Sequence, residues 1–150
     1  MKKVLVAGAS GYLGKYVVAE LKRRGYWVGA FVRNPEKLNH VGPYLEPAVG
    51  NIVDETFVGD VTKPKTLRGI CRDIDIVFSS VGITKPSEKA SFMDVDYRGN
   101  KYLLEEALKE GIEKFIFVSV FNGPKHTYIE VIKAKELFVE ELKNPESHTR

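Results

Sequence analysis

Gly8, Gly11 and Gly14 recur at every third residue within Gly8-Ala9-Ser10-Gly11-Tyr12-Leu13-Gly14. Glycine at the first of these positions lets a chain turn sharply off a strand. At the second it lets the backbone approach a ligand with no side chain between them, and at the third it lets a helix pack closely on the sheet. The helix that starts there presents free N–H groups and the positive end of its dipole, which suits phosphate. Glycine is missing at position 10, where the G-x-G-x-x-G pattern would have one, so the spacing alone says little. The context strengthens it: an apolar strand precedes the loop, an amphipathic helix follows, and a second strand begins on schedule. Gly8, Ser10, Gly11, Tyr12, Leu13 and Gly14 are therefore expected to cradle the pyrophosphate of a dinucleotide.

Discrimination between cofactors is expected about 20 residues on, where an acid would bind the ribose 2′-hydroxyl of NAD. No acid occurs from Trp27 through Asn34, and Arg33 stands at the end of that segment. A guanidinium suits a 2′-phosphate. Lys37 adds a second charge, or is simply a solvated lysine; Glu36 lies beyond Pro35 and is expected to face solvent. NADP is thus favoured over NAD.

Other chemistries find less support. Cys71 is the single cysteine, which excludes an intrachain disulfide and argues against a cysteine metal cluster. His40, His126 and His148 follow no zinc spacing and read as surface or loop residues, so no metal is expected. The formal charge is only +3, with Lys and Arg interspersed among Asp and Glu. That lacks the basic stripe of a nucleic-acid binder. The apolar run Val4 to Ala7 is too short for a signal-peptide core, and no stretch approaches the ~18 apolar residues of a membrane span. A cytoplasmic protein is expected.

The elements that must position these residues are legible as an alternation. Val4 to Ala7 suits a strand buried on both faces. A helix follows from Tyr12, with Leu13, Val17 and Leu21 on one side and Lys15, Glu20, Lys22 and Arg23 on the other; Gly25 ends it. Strands are expected at Trp27 to Val32, Glu55 to Gly59, Ile74 to Ser79 and Phe115 to Val120. Helices are expected from about Lys65 to Arg72, from Met93 to Glu110 before Gly111, and from Tyr128 to Leu142. Asn34 to Asn51, rich in Pro and Gly, reads as a surface excursion. Strands alternating with helices predict an α/β, Rossmann-like, doubly wound parallel sheet of about five strands in order 3-2-1-4-5, with helices on both faces. Residues 1–143 would form this one domain and 144–150 a tail, with no separate substrate domain.

Taken together, these residues resemble the short-chain dehydrogenase/reductase superfamily, and within it the atypical NAD(P)H-binding (NmrA-like) group, from Lys2 to about Leu142. Gly8-x-x-Gly11-x-x-Gly14 is the spacing of its extended and atypical members. The resemblance implies that Asp60-Val61 contacts the adenine ring and that Ser80-Val81-Gly82 lies along the nicotinamide ribose. It also implies that Ser119 is the family's serine and that Asp96 stands where Asn is common. Plainer readings stay open: Asp60 as a turn cap, Ser79 and Ser80 as turn formers, Ser119 as a small packing residue. The Tyr-x-x-x-Lys signature, in which a lysine lowers the pKa of an acid/base tyrosine, is not intact. Tyr128 precedes Lys133 by five residues and Lys135 by seven. The segment from Ala134 to Leu142 is more similar to atypical members that dispense with the tyrosine, which implies that Lys135, or less readily Lys133, contacts the nicotinamide ribose. Ser119, Tyr128 and Lys135 are the candidate catalytic residues, with His126 and Tyr128 on the substrate side.

The sequence stops soon after the last helix, where members of the superfamily usually continue with a sixth strand and a substrate-covering segment. An exposed fifth strand is expected to be covered by another copy of the chain, giving a homodimer or larger homo-oligomer. Two functions compete: an NADP-dependent oxidoreductase on an unidentified small substrate, and a catalytically silent NADP(H)-binding module that senses redox state. An epimerase-like activity is a poorer third, since it would need the absent signature.

Overall fold

The structure is a computed structural model that describes residues 1–145. Five parallel strands, β1 (Lys3–Ala7), β2 (Trp27–Val32), β3 (Glu55–Val58), β4 (Ile76–Ser79) and β5 (Lys114–Phe117), form one sheet in the expected order 3-2-1-4-5. β1 lies at its centre, with Leu5 opposite Gly29 on one side and Val77 on the other.

Alternate residues of the strands feed two cores. Val4, Val6, Val28, Ala30 and Val32 face α1 (Tyr12–Arg23), where Val17, Val18 and Leu21 cover them. Leu5, Ala7, Phe31 and Val77 face the other way, toward Leu103 and Ala107 of α2 (Asn100–Lys109). On that second face α3 (Glu130–Lys143) buries Phe138 against Phe115 and Phe117, with ring centroids 5.8 and 4.7 Å apart. Both faces of the central strands are covered in this way, whereas Val58 of β3 and Ile116 of β5 stay exposed on the edge strands.

Several boundaries differ from the sequence expectation. The expected helix at 65–72 is a single 3₁₀ turn, Pro64–Leu67, because Gly69 takes a φ of +78° that ends any right-handed run. α2 is preceded by a wide π-type segment, Met93–Gly99. β4 starts at Ile76 rather than Ile74, since Ile74 closes a turn by donating its N–H to the Cys71 carbonyl. β3 stops at Val58 and β5 spans 114–117, not 115–120. α3 begins at Glu130, so Tyr128 lies in the turn before it.

On α1 Gly14 and Val18 are buried and Val17 and Leu21 half-buried, while Leu13 is exposed. Lys15, expected on the outer face, is only 3% exposed. The 34–51 segment covers it: Lys15 Nζ donates to the His40 carbonyl at 2.5 Å. That segment is more ordered than its composition implied. A 3₁₀ turn, Pro35–Asn39, is capped by the Asn34 side chain, and Leu38 and Val49 pin the segment to the core. Among the described residues no helix is long and apolar enough to cross a membrane. The expected tail at 144–150 and His148 lie largely or wholly outside the described residues.

Candidate functional site

In a parallel sheet the loops that leave the C-terminal strand ends gather at one edge, and ligands bind there where the strand order reverses. Here the reversal falls between β1 and β4. The turn after β1 is shaped by two glycines. Gly8 has φ +80°, and a Cβ on it would meet Ser80 Oγ at 3.0 Å. A Cβ on Gly14 would lie 2.8 Å from the Gly8 carbonyl carbon, so only glycine lets α1 approach β1 this closely. Gly11, by contrast, faces nearly open space, its nearest neighbour being the Gly8 carbonyl oxygen at 3.4 Å. Gly11 is also the residue before α1, and no side chain caps the helix there. The first N–H groups of α1 are thus left for a ligand, with no acid in the first turn to repel an anion.

A cleft of about 610 Å³ opens from this turn. It brings together Gly8, Ser10, Gly11, Arg33, Lys37, Asp60, Val61, Ser80, Val81 and Gly82. Three residues expected with them do not line it. Gly14 is buried as a packing residue and Leu13 is exposed. Tyr12, also exposed, packs edge-on against Tyr16 and Tyr44.

The cleft is cationic. Arg33, Lys37, Lys63, Lys85 and Lys89 line it with Asp60 as the only acid in the lining. Burial pushes the Asp60 carboxyl up, but hydrogen bonds from the Thr62 side chain and N–H, with the charges of Arg33 and Lys63, hold it below its ordinary value. Asp60 Oδ1 accepts from Thr62 N at 2.9 Å and Thr62 Oγ1 at 2.7 Å, the geometry of a turn cap. Lys63, Lys85 and Lys89 escaped the sequence reading. Their signal was position: Lys63 follows β3, and Lys85 and Lys89 follow β4, at the same sheet edge as the glycine turn.

The wall after β4 is braced from beneath. Ser79 Oγ donates to Asn100 Oδ1 at 2.5 Å and accepts from Val81 N at 3.2 Å. Asn100 Nδ2 donates to the carbonyls of Val81 and Asp96, at 3.1 and 2.9 Å. Behind Gly82 lies an ion pair, Lys135 Nζ to Asp96 Oδ1 at 2.7 Å, with Asp96 fully buried. Asp96 Oδ2 accepts from Ile83 N at 3.2 Å. The sequence reading singled out both residues but did not pair them.

Each candidate catalytic residue contacts a different partner. Lys135 is held by Asp96, and Ser119 Oγ points to Glu136 Oε1 at 3.4 Å. Tyr128 is 80% exposed in its turn, with its hydroxyl 3.3 Å from His126 Nδ1. The position one helical turn before Lys135, where Tyr-x-x-x-Lys would place its tyrosine, is Val131.

A dinucleotide fits the residues present: an uncapped helix start, an open backbone at Gly11 and, around one cleft, five cations with no salt bridge among the described residues. The profile of the NAD(P)H-binding family matches residues 8–142. The chain belongs to that family.

The chain also matches parts of longer curated relatives. The chain is similar to the photosystem II assembly factor Ycf39 of Cyanophora paradoxa, 30% identical over 140 residues, spanning 93% of this chain and 41% of the relative. It is 28% identical to the 40 kDa subunit of the mitochondrial NADH-ubiquinone oxidoreductase of Neurospora crassa, spanning 87% of this chain and 34% of that one. The chain thus spans about two fifths or less of these curated relatives. Among solved structures it matches a Bacillus halodurans protein assigned to the NAD-dependent epimerase/dehydratases. The TM-score is 0.76 at 27% identity, covering 96% of this chain and 65% of that one.

Proposed function

We propose that this chain binds NADP(H) in the cationic cleft and forms the cofactor-holding part of an oxidoreductase acting on a small substrate. The observation that carries the reading is the presence of Arg33 and Lys37 in the same cleft as the glycine turn, with no acid anywhere in β2. An acid at the end of β2 would bind a free ribose hydroxyl and repel a phosphate; a planar guanidinium does the reverse. The one acid of the cleft, Asp60, is already engaged by Thr62.

When bound, the nicotinamide supplies the hydride chemistry, and the protein supplies position and charge. The start of α1 would hold the pyrophosphate and Arg33, aided by Lys37, the 2′-phosphate. Ser80, Val81 and Gly82 would form the wall along the ribose, with Lys135 kept in place behind them by Asp96. The names of the relatives, one of them an NADH-ubiquinone oxidoreductase subunit, support redox work.

A second reading, binding without turnover, is favoured by one observation: Val131 occupies the place of the acid/base tyrosine, and Tyr128 stands in solvent. Titration with NADPH, NADP, NADH and NAD, followed by turnover assays on carbonyl and quinone panels, separates the two. Tight NADPH binding with turnover supports the oxidoreductase, and tight binding with none supports the silent module. Arg33→Asp is expected to weaken NADPH far more than NADH. Equal losses for the two cofactors would refute the 2′-phosphate assignment.

A further inference from the structure

The glycine turn and Arg33 leave unexplained the charge on the β4 side of the cleft, where Lys85 and Lys89 line the cavity together with Ser87. The segment that carries them leaves β4 directly beside the phosphate turn: a Cβ on Gly8 would lie 3.2 Å from Val81 N. The segment is tied down at both ends. Ile83 N donates to the buried Asp96 carboxylate at 3.2 Å, and Ser91 donates to Asp94 Oδ2 from both N and Oγ at 2.9 Å. Between these anchors Ser87 Oγ accepts from the N–H groups of Lys89 and Ala90, each at 3.2 Å, and Ser87 N donates to the Ala90 carbonyl. This turn folds the chain back on itself between the two lysines.

Neither lysine has an ion-pair partner among the described residues, whereas Lys22, Arg23, Arg24, Arg98 and Lys135 all do. Glu88 lies between them in sequence but does not line the cleft, so the side of the turn that faces the cavity presents two cations, which raise the local concentration of anions.

We propose that Lys85 and Lys89 form a second anion grip, which holds the pyrophosphate of the bound dinucleotide from the β4 side while Arg33 holds the 2′-phosphate. The proposal rests on the reading of the cleft as a dinucleotide site. Lysine suits this task as a mobile point charge, whereas the fixed fork of Arg33 suits a terminal phosphate. The same chemistry would serve an anionic substrate, and the test separates the two sources.

The full chain and its K85Q/K89Q and K85E/K89E variants are titrated with NADPH, NADH and adenosine 2′-monophosphate at low and high salt, with thermal melting as the check on folding. K85Q/K89Q is expected to weaken NADPH and NADH alike by roughly tenfold, as for two exposed charge contacts. It is also expected to flatten the salt dependence of both and to leave adenosine 2′-monophosphate unchanged. K85E/K89E is expected to lose more. Unchanged affinity for both dinucleotides in a folded variant overturns the proposal and turns the lysines toward a substrate anion, while the cleft reading stands. A loss shared by NADPH and adenosine 2′-monophosphate but spared by NADH overturns the pyrophosphate assignment in favour of the 2′-phosphate. If the unmodified chain binds neither dinucleotide, the cleft reading falls and the grip with it.

Discussion

Lys135 Nζ and Asp96 Oδ1 lie 2.7 Å apart against Gly82, which lines the cleft. A Cβ on Gly82 would come within 2.6 Å of the carboxylate and 2.9 Å of the ammonium. The pair therefore sets the position of the cleft wall, and it does so with one partner fully out of water and the other 18% exposed.

That asymmetry predicts unequal costs. Lys135→Met strands a fully buried carboxylate and is expected to cost about 3–5 kcal/mol in urea unfolding. Asp96→Asn leaves a lysine that already reaches solvent and is expected to cost less. The double variant is expected to recover most of the loss of Lys135→Met, because no uncompensated charge then remains. Equal losses for the two single variants, or no recovery in the double, would defeat this account.

The three glycines of the phosphate turn are expected to separate folding from binding. Gly14→Ala drives a methyl group into the backbone of Gly8, which cannot yield as a flexible side chain would, and about 1–3 kcal/mol or more of stability is expected to go. Gly11→Ala meets only the Gly8 carbonyl oxygen at 3.4 Å, so its melting temperature is expected to stay near that of the parent. Its affinity for NADPH is expected to fall sharply, since the methyl group stands where the backbone would meet phosphate. A Gly11→Ala protein that melts early and binds normally would reverse the assignment of the two roles.

Much of the architecture was legible because local signals and global topology agree. Gly25 and Gly111 end their helices at positive φ, as their placement after periodic segments implied, and the strand–helix alternation leads directly to the strand order. The failures have physical causes. Leu13 and Lys15 exchange their expected environments because Gly14, with no side chain to score as apolar, packs on Gly8 and Ala9 in the turn after β1, while the 34–51 segment folds over Lys15. Apolar spacing could not foresee either: the first turns on a glycine with no side chain, the second on a backbone carbonyl 25 residues away. The cleft cations Lys63, Lys85 and Lys89 share no periodicity; the strand ends that carry them bring them together. The Asp96–Lys135 pair joins residues 39 apart in sequence.

Tyr128 offers a direct check on the chemistry. Because it precedes α3 and shares only a 3.3 Å contact with His126, Tyr128→Phe is expected to leave NADPH affinity and melting temperature unchanged and to leave any turnover intact. Ser119→Ala removes a 3.4 Å contact with Glu136 and is expected to shift stability by no more than about 1 kcal/mol. A loss of turnover by two orders of magnitude in Tyr128→Phe would show that the tyrosine reaches the reacting atoms.

The stability of the fold is expected to decline at both ends of the pH scale for identifiable reasons. Asp54 is pushed up by burial, but the Lys22 ammonium and the Val28 N–H outweigh this and hold its carboxyl below the ordinary value of 3.8; hydrogen bonds from Ser91 do the same for Asp94. A carboxyl whose folded pKa is depressed contributes stability above its unfolded pKa and loses it as pH falls through the folded value. Acid unfolding should therefore steepen below about pH 4, and Asp54→Asn should flatten that limb. At the other end, burial and the charges of Glu106 and Glu110 push the Cys71 thiol from 9.0 to about 12. The hydrogen bond to Glu141 leads the causes that push Tyr97 from 10.0 to about 12. Both groups ionise more readily once unfolded, so their contribution is complete below pH 9.0 and is lost as pH rises toward 12. Urea titrations between pH 8 and 11 should show falling stability, with a shallower slope in Tyr97→Phe. Cys71 should resist thiol reagents at pH 8 until denaturant is added, because the thiolate is the reactive form and the buried thiol withholds it. Rapid labelling of Cys71 in the native protein would show that this face of the core opens.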